Sequence, residues 1–181
     1  MYEAGDLKYL VIKATADHVE GIVTLVNSAY RGESSRQGWT TEADLLGGQR
    51  TDVEAVRSML ANPEATFLIG CLDGVGDIIS TVYLEKVGEK CYLGMLTVKP
   101  ILQQRGIAKV LVKESEDFAL RSGCRCLKMS VIYCRSELIA YYRRLGFQSS
   151  GETEPFPYGD ERFGLPKVEG LFFEIYEKQL R

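Results

Sequence analysis

The chain has 181 residues, 45% of them hydrophobic, with 22 Lys and Arg against 25 Asp and Glu for a formal charge of −3. This length and apolar content fit one domain, residues 1–181, with an ample core, and the acidic balance lacks the basic excess on which a nucleic-acid binder relies. No apolar run approaches the ~20 residues that cross a bilayer, and the start, MYEAGDLKYL, has acidic residues and no apolar signal core; the expectation is a cytoplasmic protein with no membrane and no nucleic-acid partner.

Residues 9–14 alternate as a first strand. Asp17 is placed to cap a helix running to about Tyr30, with Val19, Ile22, Val23, Leu25 and Val26 on its apolar face. Residues 31–40 (RGESSRQGWT) are polar and glycine-containing and read as a loop. Residues 41–46 read as a short helix with Glu42 and Asp44 in its first turn. Thr51 or Asp52 caps another helix, which ends near Asn62-Pro63. Residues 66–72 and 77–85 are strands joined by a turn at Asp73-Gly74-Val75-Gly76, and a further strand starts at Cys91. Residues 107–121 are an amphipathic helix with Val110, Leu111, Phe118 and Ala119 inward, stopped by Gly123. Residues 126–132 are a buried strand, 137–145 a helix ended by Gly146, and Phe147 begins another strand. A segment rich in Pro and Gly, 155–170, precedes a last strand at 171–178. Three strands in a row amid helices give a mixed α/β chain able to form a meander, unlike a simple Rossmann alternation.

The most informative stretch is residues 92–109, YLGMLTVKPILQQRGIAK. An apolar strand stops at Pro100, whose ring nitrogen cannot donate to a sheet ladder, and a helix opens soon after. The first turn of a helix leaves backbone N–H groups without intrahelical partners. Gly106 and Ala108 let an anion approach that backbone, while Arg105 and Lys109 add positive charge, which makes a seat for a pyrophosphate. The three spaced glycines of a dinucleotide fingerprint and the G-x-x-x-x-G-K-S/T of a P-loop are both missing. Metal chemistry is not expected. His18 is the sole histidine, and Cys124 and Cys126 have the spacing of strand neighbours rather than of a zinc knuckle. The five cysteines read as reduced thiols.

Gln103-Gln104-Arg105-Gly106-Ile107-Ala108 is similar to the acetyl-CoA motif Q/R-x-x-G-x-G/A of the GNAT-type N-acetyltransferases. It follows a strand ending Leu96-Thr97-Val98 and opens a helix. About thirty residues later, Tyr141-Tyr142-Arg143-Arg144-Leu145-Gly146-Phe147 resembles that family's Y-x-x-x-G-F helix ending. The resemblance implies the acyl-CoA N-acyltransferase fold, a mostly antiparallel mixed sheet flanked by helices. It implies acetyl-CoA as cosubstrate, no metal, and a primary amine on a small molecule or peptide as acceptor, in a monomer or homodimer. It further implies that the strand at Leu96, Thr97 and Val98 splays from its neighbour, so that its backbone pairs with the pantetheine arm. Gln103, Gln104, Arg105, Gly106, Ile107, Ala108 and Lys109 then cradle the pyrophosphate. Tyr142 matches the tyrosine near the thioester sulfur, where a phenol is a sensible general acid for a departing thiolate. Seven residues before Tyr142, where the family often has Asn, stands Arg135; it can donate to a pantetheine carbonyl or a phosphate but cannot accept.

For the general base the candidates are Glu85, at the end of a strand beside the cofactor strand, and Glu33 and Glu42, which flank the polar loop. Trp39 lies where the family places its acceptor wall, and a tryptophan face beside carboxylates suits a cationic amine. Phe156, Tyr158, Asp160 and Glu161 lie in a segment able to close over the acceptor. A non-catalytic acyl-CoA sensor using the same loop stays open as the alternative, as does an unrelated nucleotide-phosphate binder.

Overall fold

A computed structural model describes residues 1–72 and 77–181, with only the backbone of Arg162; the turn expected at Asp73-Gly74-Val75-Gly76 lies outside the described residues. The strands are β1 (Tyr2–Ala4), β2 (Leu7–Lys13), β3 (Leu46–Gly47), β4 (Ala65–Leu72), β5 (Ile78–Val87), β6 (Lys90–Val98), β7 (Cys126–Ile132), β8 (Gln148–Pro155), β9 (Leu165–Pro166) and β10 (Phe172–Gln179). The helices are α1 (Val19–Tyr30), α2 (Gly32–Ser35), α3 (Val53–Ala61), α4 (Ile107–Arg121) and α5 (Ser136–Arg144). Eight strands form one sheet in the order β1-β2-β4-β5-β6-β7-β10-β8, and β3 pairs with β9 in a small second sheet. Every pairing is antiparallel except β6 with β7, which run parallel with α4 as their crossover.

Alternation along the central strands feeds two cores, because successive side chains face opposite sides of a sheet. Phe67, Ile69 and Cys71 of β4 join Val19, Ile22 and Val26 of α1 and Val56 of α3 on one face. Leu68 faces the other way, into a core with Val82, Leu84, Leu111, Val112 and Ala119, with Tyr142 and Phe147 nearer α5. Helices therefore cover both faces of the sheet, as expected for the mixed α/β class. On α4 the buried residues are Ile107, Leu111, Val112, Ser115 and Ala119; Val110, expected inward, is only partly buried.

Several elements differ from expectation. Residues 41–46 are not a helix: Leu45 and Leu46 N–H donate to the Glu42 carbonyl in a turn, and Leu46 then pairs with Pro166. Gly47 and Gly48 follow, and long-range pairing outweighs a helical preference that glycine does not support. The loop at 31–40 contains the single helical turn α2. Asp17 does not cap α1. Thr15 N–H donates to His18 Nδ1 at 3.0 Å, closing a 3-10 turn that leads into the helix. Asp52 does cap α3, accepting from Ala55 N–H at 2.8 Å. β1 pairs with β2 as an N-terminal hairpin too short for periodicity to reveal.

What positions the site is the parting of β6 from β7. The two strands pair only at Lys90↔Cys126, Cys91↔Leu127 and Tyr92↔Lys128. Beyond Tyr92, β6 carries a bulge against β5: Thr81 faces Thr97 and Tyr83 faces Gly94, leaving Met95 and Leu96 opposite a single residue. Met95 takes φ +48°, a left-handed conformation costing a side chain about 1–2 kcal/mol. A bulge bends and over-twists its strand, so β6 turns away from β7.

Candidate active site

Two cavities meet in this gap. The first, about 280 Å³, lies between the diverging strands and is bounded by Gly94, Met95 and Leu96 of β6, Met129 to Ile132 of β7, Tyr30, Arg31, Glu42 and Arg50 from the N-terminal half, and Phe156, Phe163 and Phe173. The second, about 390 Å³, runs from Leu96 and Val98 over the 103–109 loop, between α4 and α5, with Trp39, Tyr141 and Arg144 at its walls. Leu96, Leu138 and Tyr142 line both. Tyr142 is 7% exposed, and its hydroxyl has no hydrogen-bond partner among the described residues. Burial pushes its pKa well above the ordinary phenol value, with a further contribution from Tyr30, so it is protonated at neutral pH.

The 103–109 loop is shaped as an anion seat. Gln104 has φ +63° and Gly106, the N-cap of α4, φ +82°; left-handed residues in a turn aim successive N–H groups into one concavity. A Cβ at Gly106 would meet no heavy atom within 4 Å, so the approach is open. Gln104, Gly106, Ile107, Ala108 and Lys109 line the second cavity, whereas the Arg105 guanidinium, half exposed, points to Asp6 at 4.0 Å. Gln103 has a structural task. Its Nε2 donates to the Val98 carbonyl at 3.2 Å and its Oε1 accepts from Trp39 N–H at 2.7 Å, fastening the 38–39 segment to the end of β6. A Cβ at Gly38 would lie 2.6 Å from Gln103 Oε1, so a larger residue there would displace the Gln103 amide from these bonds. The Thr97 side chain, 2% exposed, donates to the Met95 carbonyl at 2.9 Å and holds the bulge.

The three candidate carboxylates sit in three different settings. Glu33 lies on the outer surface bonded to Arg36 and lines neither cavity. Glu42 is buried on the first cavity, its two oxygens bonded to Arg31 and Arg135, the latter at 2.8 Å. Glu85 accepts from Asn62 Nδ2 at 3.0 Å and from the Tyr83 hydroxyl at 2.8 Å. It faces a third cavity that shares Arg50, Tyr92, Gly94, Met95 and Phe163 with the first. None of these three carboxylates lines the cavity that holds Trp39. Trp39 itself belongs to the second cavity, its ring 5.6 Å from that of Tyr141. Arg135 is 6% exposed and held by Glu42 and Thr40, which keeps it on the wall of the first cavity.

In the 155–170 segment, Phe156 and Phe163 reach the first cavity. Tyr158 folds back on its own loop, donating to the Val168 carbonyl at 3.0 Å and accepting from Leu171 N–H at 2.8 Å. Sequence reasoning did not single out Tyr30, Arg31 or Arg50. Tyr30 donates to the Leu96 carbonyl at 3.1 Å and lies under the Arg50 guanidinium, 5.7 Å from its ring centroid. Arg31 donates to the Phe163 carbonyl at 3.1 Å. No local pattern announces contacts between segments so far apart in the chain.

A sequence model described as the Acetyltransferase (GNAT) family matches residues 18–147. A curated relative, N-alpha-acetyltransferase 30 of Dictyostelium discoideum, is 27% identical over 120 residues, and the match spans 65% of this chain and 65% of that relative's length. Among solved structures, a GNAT-family acetyltransferase of Staphylococcus aureus Mu50 superposes with a TM-score of 0.67 at 15% identity, covering 96% of this chain and all of the other. The ribosomal-protein-S18-alanine N-acetyltransferase of Escherichia coli gives 0.69 at 12% identity over 96% and 94%. The ribosomal-protein-alanine N-acetyltransferase of Brucella melitensis gives 0.68 at 17% identity over 94% and 99%. At such identities these superpositions establish the fold alone, but the family match covers most of the chain and includes both the 103–109 loop and Tyr142: the chain belongs to the GNAT acetyltransferase family.

Proposed function

We propose that residues 1–181 form one N-acetyltransferase domain that moves the acetyl group of acetyl-CoA to a primary amine by direct attack in a ternary complex. The observation that carries this reading is the meeting of two cavities at Leu96 and Tyr142: one has an open backbone seat for a diphosphate, the other is closed by aromatic side chains, and they share one wall. The cleft fits the cosubstrate because the amides at 104–109 face an open approach at Gly106 and the edge of β6 at Leu96–98 is abandoned by β7, leaving backbone groups for an extended arm.

Each chain residue then has a defined task. Tyr30 fixes the Leu96 carbonyl, which orients the adjoining peptide so that a β6 N–H polarises the thioester carbonyl. The amine enters from the first cavity; its nitrogen bonds to the acyl carbon as the C–S bond breaks. The departing thiolate takes the proton of the Tyr142 hydroxyl, and the proton lost by the amine returns to the tyrosinate or leaves through water. Glu85, in the adjoining cavity, receives it at the end of such a water path. Burial raises the pKa of Tyr142, and the same burial raises the basicity of a thiolate formed beside it, so the two shifts offset. Most of the acceleration comes from holding amine and thioester together at the junction. A cytoplasmic setting fits the five free thiols.

The test is release of free thiol from acetyl-CoA by purified protein in the presence of a panel of amines and peptides. Acceptor-dependent thiol release is the expected result; binding of acetyl-CoA without release by any acceptor contradicts catalysis and favours the sensor reading.

A further inference from the structure

The charges around the first cavity point to what the acceptor carries. Glu42, 6% exposed, lies between Arg31 at 5% and Arg135 at 6%, so this buried triad keeps a net positive charge. Glu154 also borders the cavity, but from the exposed strand β8, where Lys128 lies 3.8 Å away. Arg50 remains. It lines both the first cavity and the adjoining one, and it has no carboxylate partner among the described residues. Its backbone is pinned by one side chain: Asn27 Oδ1 accepts from Arg50 N–H at 2.7 Å and from Thr51 N–H at 3.1 Å, while Nδ2 donates to the Thr51 carbonyl at 2.9 Å. Its guanidinium lies over the Tyr30 ring, 5.7 Å from the centroid, a cation–π contact that uses the ring face and leaves its N–H donors for a carboxylate.

Tyr30 also sets a distance. Its ring lies under Arg50 and its hydroxyl touches the Leu96 carbonyl at the junction with the second cavity, so one tyrosine separates Arg50 from the place of reaction. Between these ends the cavity is lined by apolar groups such as Leu46, Met129, Val131, Phe156 and Phe173. We infer that the acceptor is an amine that also bears a carboxylate, bound with its amine at Tyr142, its apolar body against the phenylalanines and its carboxylate on Arg50. This rests on the acetyltransferase reading of the same site. It reverses the expectation of a cationic acceptor, since a polyamine would bring a second positive charge toward Arg50 and the Arg31–Glu42–Arg135 group.

The experiment compares matched acceptors at saturating acetyl-CoA: 4-(aminomethyl)benzoate with benzylamine, 4-aminobutyrate with butylamine, and spermidine. The carboxylated member of at least one pair is expected to show a kcat/KM at least tenfold above its partner and above spermidine. Arg50→Gln removes that preference through KM for the acid, Arg50→Lys keeps part of it, and KM for acetyl-CoA is unchanged in both. Equal rates within the pairs, a preference for spermidine, or an equal loss on acid and amine in Arg50→Gln would overturn the inference. If no acceptor releases thiol, calorimetric titration of the same acids into CoA-loaded protein decides. Heat present in the wild type and lost in Arg50→Gln upholds the carboxylate site while counting against acyl transfer; no heat overturns the site itself.

Discussion

Tyr142 stands where the two cavities join, buried yet with no hydrogen-bond partner for its hydroxyl among the described residues. Replacing it with Phe keeps the ring in its core contacts with Tyr141 and Phe147 and removes only the hydroxyl group that carries the proton. The expected result is a fall in kcat of roughly 10- to 1,000-fold, in the range general acid catalysis supplies, with KM for acetyl-CoA unchanged in steady-state kinetics; unchanged turnover would take Tyr142 out of the chemistry. Glu42 plays a different part. Glu42→Ala strands two buried guanidinium groups, and breaking a buried ion pair from one side costs about 3–5 kcal/mol. Denaturant unfolding should show that loss, whereas a change under 1 kcal/mol would mean the arginines find other partners. At this scale the sequence was partly legible. Tyr142 was readable from its Tyr-x-x-x-Gly-Phe setting. Glu42 and Glu33 were assigned as flanking a polar loop and Trp39 from the family resemblance, and packing places them respectively in an ion-pair triad, on the outer surface, and at the wall beside Tyr141. Arg50 and Tyr30 acquire meaning only when α1 is laid against β6.

Among the elements, β6 and the loop into α4 make the site. The bulge at Met95–96 diverts β6 from β7, and the left-handed residues Gln104 and Gly106 turn the chain into α4. Gly106→Ala would place a side chain at φ +82°, where no protein atom lies within 4 Å of the new Cβ. The cost to the fold is therefore backbone strain of about 1–2 kcal/mol with no clash. The new methyl group also projects into the open approach at Gly106 and crowds an incoming diphosphate, so calorimetry should show weaker CoA binding, beyond what thermal melting shows for stability; unaltered affinity would mean the pyrophosphate is held elsewhere. The strand–loop–helix run at 92–109 was legible because apolar β-branched residues, a proline and small residues follow one another there. The bulge was not, since nothing in Leu93-Gly94-Met95-Leu96 fixes which residue takes positive φ; that depends on register with β5. The helix expected at 41–46 fails for a related reason: Leu46 gains a strand partner in Pro166, 120 positions away and invisible to local pattern.

At the scale of the whole molecule, helices on both faces bury the sheet, and that burial governs the response to pH. Burial raises Tyr142, Tyr30 and Tyr83 above the ordinary phenol value of 10.0, and pushes the Cys91 thiol from 9.0 up to about 12. In the unfolded chain these groups ionise first, so above about pH 9 the unfolded state binds fewer protons than the native state and stability falls as pH rises. Thermal midpoints should be level with respect to these groups from pH 7 to 8.5 and decline steadily from pH 9 to 11; a rise over that interval would contradict the buried placement. The mixed class and the meander of three strands followed from element order alone. The eight-strand order, with β10 inserted between β7 and β8, did not, because strand neighbours distant in sequence leave no local trace. Everything functional depends on β6 parting from β7 above a backbone seat at 104–109. The most direct test is a structure of the protein soaked with CoA: the account predicts the diphosphate within hydrogen-bonding distance of those amides, the arm along Leu96–98, and the sulfur beside the Tyr142 hydroxyl. CoA bound at another surface, or absent at saturating concentration, would contradict it.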